Sequence, residues 1–225
     1  MKLLAFLILA LTSAVFADIT RGDALKIAEQ FVNHRWTAEP RHVRHGTDSS
    51  GIEIHTPDLA GGRANPNSDS WTLGKQNTGV AYKWGGWDTP AMFDAGLKKG
   101  RAAGDVYSAE KRRKGGAAVS GDCVGVDCSG FVSRCWGLKK RESTSTLGSI
   151  SKRLPSAADL QPADVMNTAG GHVILFVRWL DAGKKRALFY EAAPFSKTRA
   201  VEHDIADLTS SGFIPLRYRG IREST

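Results

Sequence analysis

The stretch Asp127-Cys128-Ser129-Gly130-Phe131-Val132-Ser133-Arg134-Cys135-Trp136 decides how the chain is read. Cys128, Phe131, Val132, Cys135 and Trp136 recur at the spacing of one helix face. The preceding Gly121-Asp122-Cys123-Val124-Gly125 has turn composition, so the predicted helix starts close to Cys128. A thiol there faces unpaired backbone N–H groups and the positive end of the helix dipole, both of which favour thiolate over thiol. Gly130 keeps the first turn open, and the short polar side chains of Asp127 and Ser129 bracket the sulfur. A lone cysteine is usually an inert core residue. A chemical role for Cys128 therefore requires a base from elsewhere in the chain.

That base is found downstream. Val173-Ile174-Leu175-Phe176-Val177 and Ala187-Leu188-Phe189-Tyr190 are short apolar runs separated by Asp181-Ala182-Gly183-Lys184-Lys185, a pattern that predicts a β-hairpin. His172 opens the first strand after Thr168-Ala169-Gly170-Gly171, where it can lean over the helix end as general base. Glu191 lies on the returning strand. A turn centred near Asp181 or Ala182 sets it opposite His172, able to orient the imidazole, and a one-residue slip would break that pairing.

Three segments together resemble the NlpC-type cysteine peptidases, papain-like enzymes that cut the peptides of bacterial peptidoglycan. They are Asp127 to Val132, the upstream Gly79-Val80-Ala81-Tyr82-Lys83-Trp84-Gly85-Gly86, and Pro162-Ala163-Asp164-Val165 leading to His172-Val173. The resemblance spans about Asn77 to Pro194. It implies an α+β fold: a papain-like domain with a Cys-bearing helix packed on an antiparallel sheet. It also implies Cys128 as nucleophile, His172 as base and Glu191 as the third residue. Tyr82, Asp127 and Ser129 would line the substrate site, with Asp127 pairing with the free amino end of a stem peptide and Tyr82 helping to hold it. Peptidoglycan or muropeptides are the implied partner and the D-Glu to diamino acid bond the implied target. No metal or organic cofactor is implied.

The sequence departs from the family pattern at three points. Some forty residues separate Trp84-Gly85-Gly86 from Cys128, so an insertion over 87–121 is expected to reshape or cover the cleft. Glu191 stands where the family often has His, and its charge should favour an imidazolium and hence a Cys–/His+ ion pair. Ala163 stands where the family usually has Gly.

Two other reaction types fit the same dyad, an amidase cutting between sugar and peptide and an acyltransferase. A non-catalytic wall-binding module is the alternative of a different class.

The rest of the 225 residues bounds these expectations. With 41% hydrophobic and 24% charged residues, 24 Gly and 8 Pro, disordered, collagen-like and coiled-coil classes are excluded. Lys2, the run LLAFLILAL and Ser13-Ala14-Val15-Phe16-Ala17 read as a secretory signal over 1–17, cleaved after Ala17. Export to the cell envelope, secreted or periplasmic, is the expectation. The whole chain carries 31 Lys and Arg against 23 Asp and Glu, a formal +8, and loss of Lys2 leaves +7. No ~20-residue apolar stretch is present to span a bilayer, so no transmembrane segment is expected. The densest basic stretch, Lys98 to Lys114, lacks interleaved stacking aromatics and reads as a solvated loop, not as a nucleic-acid surface.

Between the signal and the body, Thr20 is placed to cap a helix bearing Ala24, Ile27, Ala28, Phe31 and Val32. The Pro- and Gly-punctuated segment from Ala38 to Ser70 reads as a wrapping arm. Residues 18–70 are thus helix and arm, and 71–225 the catalytic domain. His42-x-x-His45 has no thiols or paired carboxylates at ligand spacing and reads as surface histidine, not a metal site. Cys123, Cys128 and Cys135 are an odd count, which leaves at least one free thiol. A Cys123–Cys135 bond would require the loop to fold back on the helix and is not expected.

Overall fold

The structure is a computed structural model that describes residues 18–59 and 70–222. Residues 1–17, read from the sequence as a signal, and residues 60–69 of the arm lie outside the described residues.

The fold is α+β, built on a six-stranded antiparallel sheet. In chain order its strands are β1 (Ser151–Arg153), β2 (Val165–Asn167), β3 (Val173–Trp179), β4 (Arg186–Ala192), β5 (Thr198–Asp204) and β6 (Ile214–Tyr218). Their spatial order is β5-β4-β3-β2-β6-β1. The predicted hairpin is β3 and β4. Asp181 closes its turn by accepting from the backbone N–H groups of Lys185 and Arg186.

Alternation along the strands sends side chains into two cores. Val173, Leu175 and Ala192 join the larger core, together with α1 (Arg21–Val32) and the Cys-bearing α4 (Cys128–Cys135). Ile174, Phe176 and Phe189 face the other way and pack with Leu154, Leu160 and Leu208. The sheet is therefore covered on both faces, and the central strands are apolar on both.

Thr20 caps α1 as expected, its side chain accepting from Asp23 N–H. Phe31 of α1 meets Phe131 of α4 edge to face at 5.5 Å between ring centres, which fixes the N-terminal helix against the Cys-bearing one. Within the arm, His45–Thr47 pairs with Glu53–His55. His42 differs from the surface residue expected. It is buried, with Nδ1 accepting from Glu39 N–H and Nε2 set against the Leu97 carbonyl. Among the described residues no group of three or more His, Cys, Asp and Glu is placed to hold a metal ion, and no helix is long and apolar enough to cross a membrane.

The insertion between Trp84-Gly85-Gly86 and Cys128 is ordered. It contains α2 (Pro90–Lys98), α3 (Ala109–Lys114) and a 3-10 turn over Gly115–Ala118. The basic stretch expected to be a solvated loop is in part helical and anchored, because Lys111 is buried against Asp105, with Nζ 2.7 Å from Oδ2. Lys111 Nζ also donates to the Glu53 carbonyl of the arm.

Ala163 adopts φ 70°, a left-handed conformation that costs an L side chain about 1–2 kcal/mol. Its N–H donates to the Phe176 carbonyl and its carbonyl accepts from Trp136 Nε1. These bonds hold the turn in a backbone conformation that suits glycine.

Candidate active site

Helix α4 begins at Cys128 because Asp127 caps it, its Oδ1 accepting from Gly130 N–H at 2.6 Å. The upstream Trp84-Gly85-Gly86 loop docks onto this helix start. Asp127 N–H donates to the Gly86 carbonyl, and Gly85 N–H donates to Asp127 Oδ2. A Cβ on Gly130 would overlap the Gly86 carbonyl oxygen, so the helix and loop approach as closely as they do only because that position is glycine. Two motifs some forty residues apart thus form one hydrogen-bonded unit.

Cys128 opens onto a cavity of about 490 Å³ also lined by Tyr82, Trp84, Asp127, Ser129 and Arg141. The insertion supplies a further wall through Tyr107, Arg112, Gly115, Gly116 and Val119. Arg112 reaches across toward the loop before His172, where a Cβ on Gly170 would lie 3.4 Å from its Nη2. The insertion expected to reshape the cleft does line it.

His172 sits just before β3, held by a local turn. Its N–H donates to Thr168 Oγ1 at 2.8 Å and its carbonyl accepts from Thr168 N–H. Its ring packs edge-on against Phe213. Nε2 lies 2.7 Å from Glu191 Oε2, while Nδ1 is buried without a hydrogen-bond partner. Burial works to lower the imidazole pKa, but the nearby Cys128 and then Glu191 outweigh it and raise it from 6.5 to about 10.

Glu191 is not directly opposite His172. The register pairs Leu175 with Tyr190, which sets Glu191 level with Ile174, two residues along from His172. An offset of two keeps both residues on the same side of the sheet, so the side chains still meet. Arg199, opposite Glu191 on β5, places Nε and Nη2 each 2.9 Å from Oε1. Burial pushes the Glu191 pKa up, but His172 first and Arg199 second pull it down to about 2.

The expected substrate-binding residues line the cavity, with one correction. Asp127 already has its cation. Arg141 Nη2 donates to Asp127 Oδ2 and also lies 3.3 Å from Ser129 Oγ, which itself donates to Asp127 Oδ1. The carboxylate expected to meet a substrate ammonium is thus met in this structure by a cation of the chain itself. Tyr82 is buried, and its hydroxyl is held neutral by burial and then by the charges of Cys128 and Asp127.

The other two thiols are remote and inert. Cys123 and Cys135 belong to different buried clusters, and both are free, as is Cys128. Burial pushes Cys123 up to about 12 and raises Cys135 well above its usual range.

Arg141 and Arg199 were not anticipated. The Lys139-Lys140-Arg141 run after α4 was the available signal for the first. For the second it was the polar alternation of Thr198 to Asp204, which marks a strand beside β4.

Compared with known proteins, the chain matches no family model, no curated protein and no solved structure.

Proposed function

We propose that this chain is an exported cysteine peptidase of the NlpC type, with a papain-like arrangement of helix and sheet, that hydrolyses peptide bonds in peptidoglycan stem peptides. The observation that carries the reading is the division of labour on His172. Nε2 is held by Glu191, Nδ1 is left buried and unpartnered, and Cys128 at the head of α4 is near enough to raise the imidazole's pKa.

In the proposed reaction the Cys128 thiolate attacks the amide carbon, and the carbonyl electrons move onto oxygen. The N–H of Cys128, at the first helical position, has no intrahelical acceptor and is a donor for that oxyanion. As the tetrahedral species collapses, the C–N bond breaks and the His172 imidazolium gives its proton to the leaving amine. Water then gives a proton to the neutral imidazole and attacks the thioester carbonyl. The acid product leaves, and the thiolate–imidazolium pair is restored. Glu191 keeps the ring oriented through both steps.

The test is mass spectrometry of defined muropeptides incubated with the protein and with Cys128→Ala. Peptide fragments from the parent protein alone are expected. Release of intact stem peptide from sugar would assign an amidase, and transfer to an added amine an acyltransferase. Unchanged muropeptides with both proteins would overturn the reading in favour of a binding module.

A further inference from the structure

Asp127 has no acceptor capacity left for a ligand. Oδ1 accepts from Gly130 N–H and Ser129 Oγ, and Oδ2 accepts from Gly85 N–H and Arg141 Nη2. Four donors occupy the roughly four lone-pair positions of a carboxylate. A substrate ammonium arriving there would have to expel a guanidinium and would meet its positive charge on the way.

The cleft instead has donors to spare. Arg141 Nε–H and Trp84 Nε1–H are buried and have no hydrogen-bond partner among the described residues. Both residues line the Cys128 cavity, as does the exposed Arg112 from the insertion. Arg112 and Arg141 against Asp127 leave that wall with a net positive charge. A guanidinium fork next to a further N–H donor matches the planar, two-oxygen geometry of a carboxylate.

We propose that the Cys128 cleft selects substrates that carry a free carboxylate beside the scissile bond, received by Arg141, Arg112 and Trp84, and makes no use of a free amino end. The proposal rests on the peptidase reading and deepens it. A D-Glu joined through its side-chain carboxyl has such a group, because its main-chain carboxylate is left free within the residue that becomes the thioester. Conversion of that carboxylate to a carboxamide removes the charge and one acceptor, and leaves the donors facing an N–H2 group.

The experiment uses four versions of one L-Ala-γ-D-Glu-diamino acid peptide: amino end free or acetylated, combined with D-Glu carboxylate free or amidated. Amidation is expected to lower kcat/KM tenfold or more and acetylation to change it less than threefold. Arg112→Gln, a substitution at an exposed position, is expected to raise KM for the carboxylate peptides more than for the carboxamide peptides, which narrows the difference between them. A tenfold loss on acetylation, or equal rates on all four peptides, overturns the proposal while leaving the peptidase reading intact. If none is hydrolysed, the peptidase reading fails, and calorimetric binding of the same four peptides to Cys128→Ala decides the matter. Tighter binding of both carboxylate forms supports the carboxylate site, and equal binding or none overturns it.

Discussion

Arg199 stands opposite Glu191 in the β4–β5 ladder, with Nε and Nη2 each 2.9 Å from Oε1, while Oε2 lies 2.7 Å from His172 Nε2. The carboxylate is thus shared between a fixed cation on one side and the imidazole on the other. Arg199 touches neither sulfur nor cleft and acts as a positioning residue. Arg199→Gln is expected to lower kcat on the order of tenfold with KM little changed, against roughly 10²–10⁴-fold for Glu191→Gln. Steady-state kinetics on a cleaved muropeptide separates the two.

The pH profile should carry the signature of the same network. His172 is raised to about 10, so the alkaline limb of kcat/KM is expected well above neutrality. Glu191→Gln removes one of the charges that raise the imidazole, and the limb should move to lower pH. A limb that stayed in place would show that Glu191 does not set the imidazole's proton affinity.

Stability should follow the same pair. The raised His172 contributes stability that is complete below its ordinary 6.5 and is lost as pH rises through about 10. The depressed Glu191 contributes stability that is complete above its ordinary 4.5 and is lost as pH falls through about 2. The Tm difference between the parent protein and Glu191→Gln is therefore expected to be largest between about pH 4.5 and 6.5 and to shrink in both directions. Calorimetric melts across pH 3 to 10 measure it.

Only one thiol should react in the folded protein. Cys123 and Cys135 are buried in separate clusters and raised by burial, whereas Cys128 borders the cavity. A maleimide is expected to label the native chain once and the denatured chain three times without reductant, and Cys128→Ala should abolish the native label. Fewer than three labels on the denatured, unreduced chain would mean a disulfide.

The buried Lys111–Asp105 pair joins two parts of the insertion and ties it to the arm, where Lys111 Nζ donates to the Glu53 carbonyl and Asp105 Oδ1 accepts from His55 N–H. Lys111→Met leaves Asp105 buried without its cation and should cost about 3–5 kcal/mol in urea unfolding near neutral pH. Burial already raises the Asp105 pKa, so the loss should shrink in acid as the carboxyl takes up a proton. Adding Asp105→Asn should recover part of the loss.

How much of this was legible in the sequence follows from the range of each interaction. Helix α4, its cap and the hairpin are written in local periodicity and turn chemistry, and the structure has all three. The alignment of His172 with Glu191 was off by two residues. The strands run further than their apolar cores, and a register shift lies between Phe176 and Arg178, neither of which an apolar run reveals. The Arg141–Asp127 pair was not legible. Arg141 follows the helix in a run of basic residues that looks solvated, and only the tertiary fold turns its guanidinium back to the helix start.

The insertion contributes none of Cys128, His172 and Glu191, yet it forms a wall of the cavity onto which Cys128 opens. It is pinned to the arm by Lys111 Nζ, which donates to the Glu53 carbonyl, and by Ser120 Oγ, 2.6 Å from Asp48 Oδ2. One wall of that cavity and the Cys128, His172 and Glu191 cluster are therefore encoded in separate stretches of chain. A loop grafted between those two pins would reshape that wall and leave Cys128, His172 and Glu191 where they are.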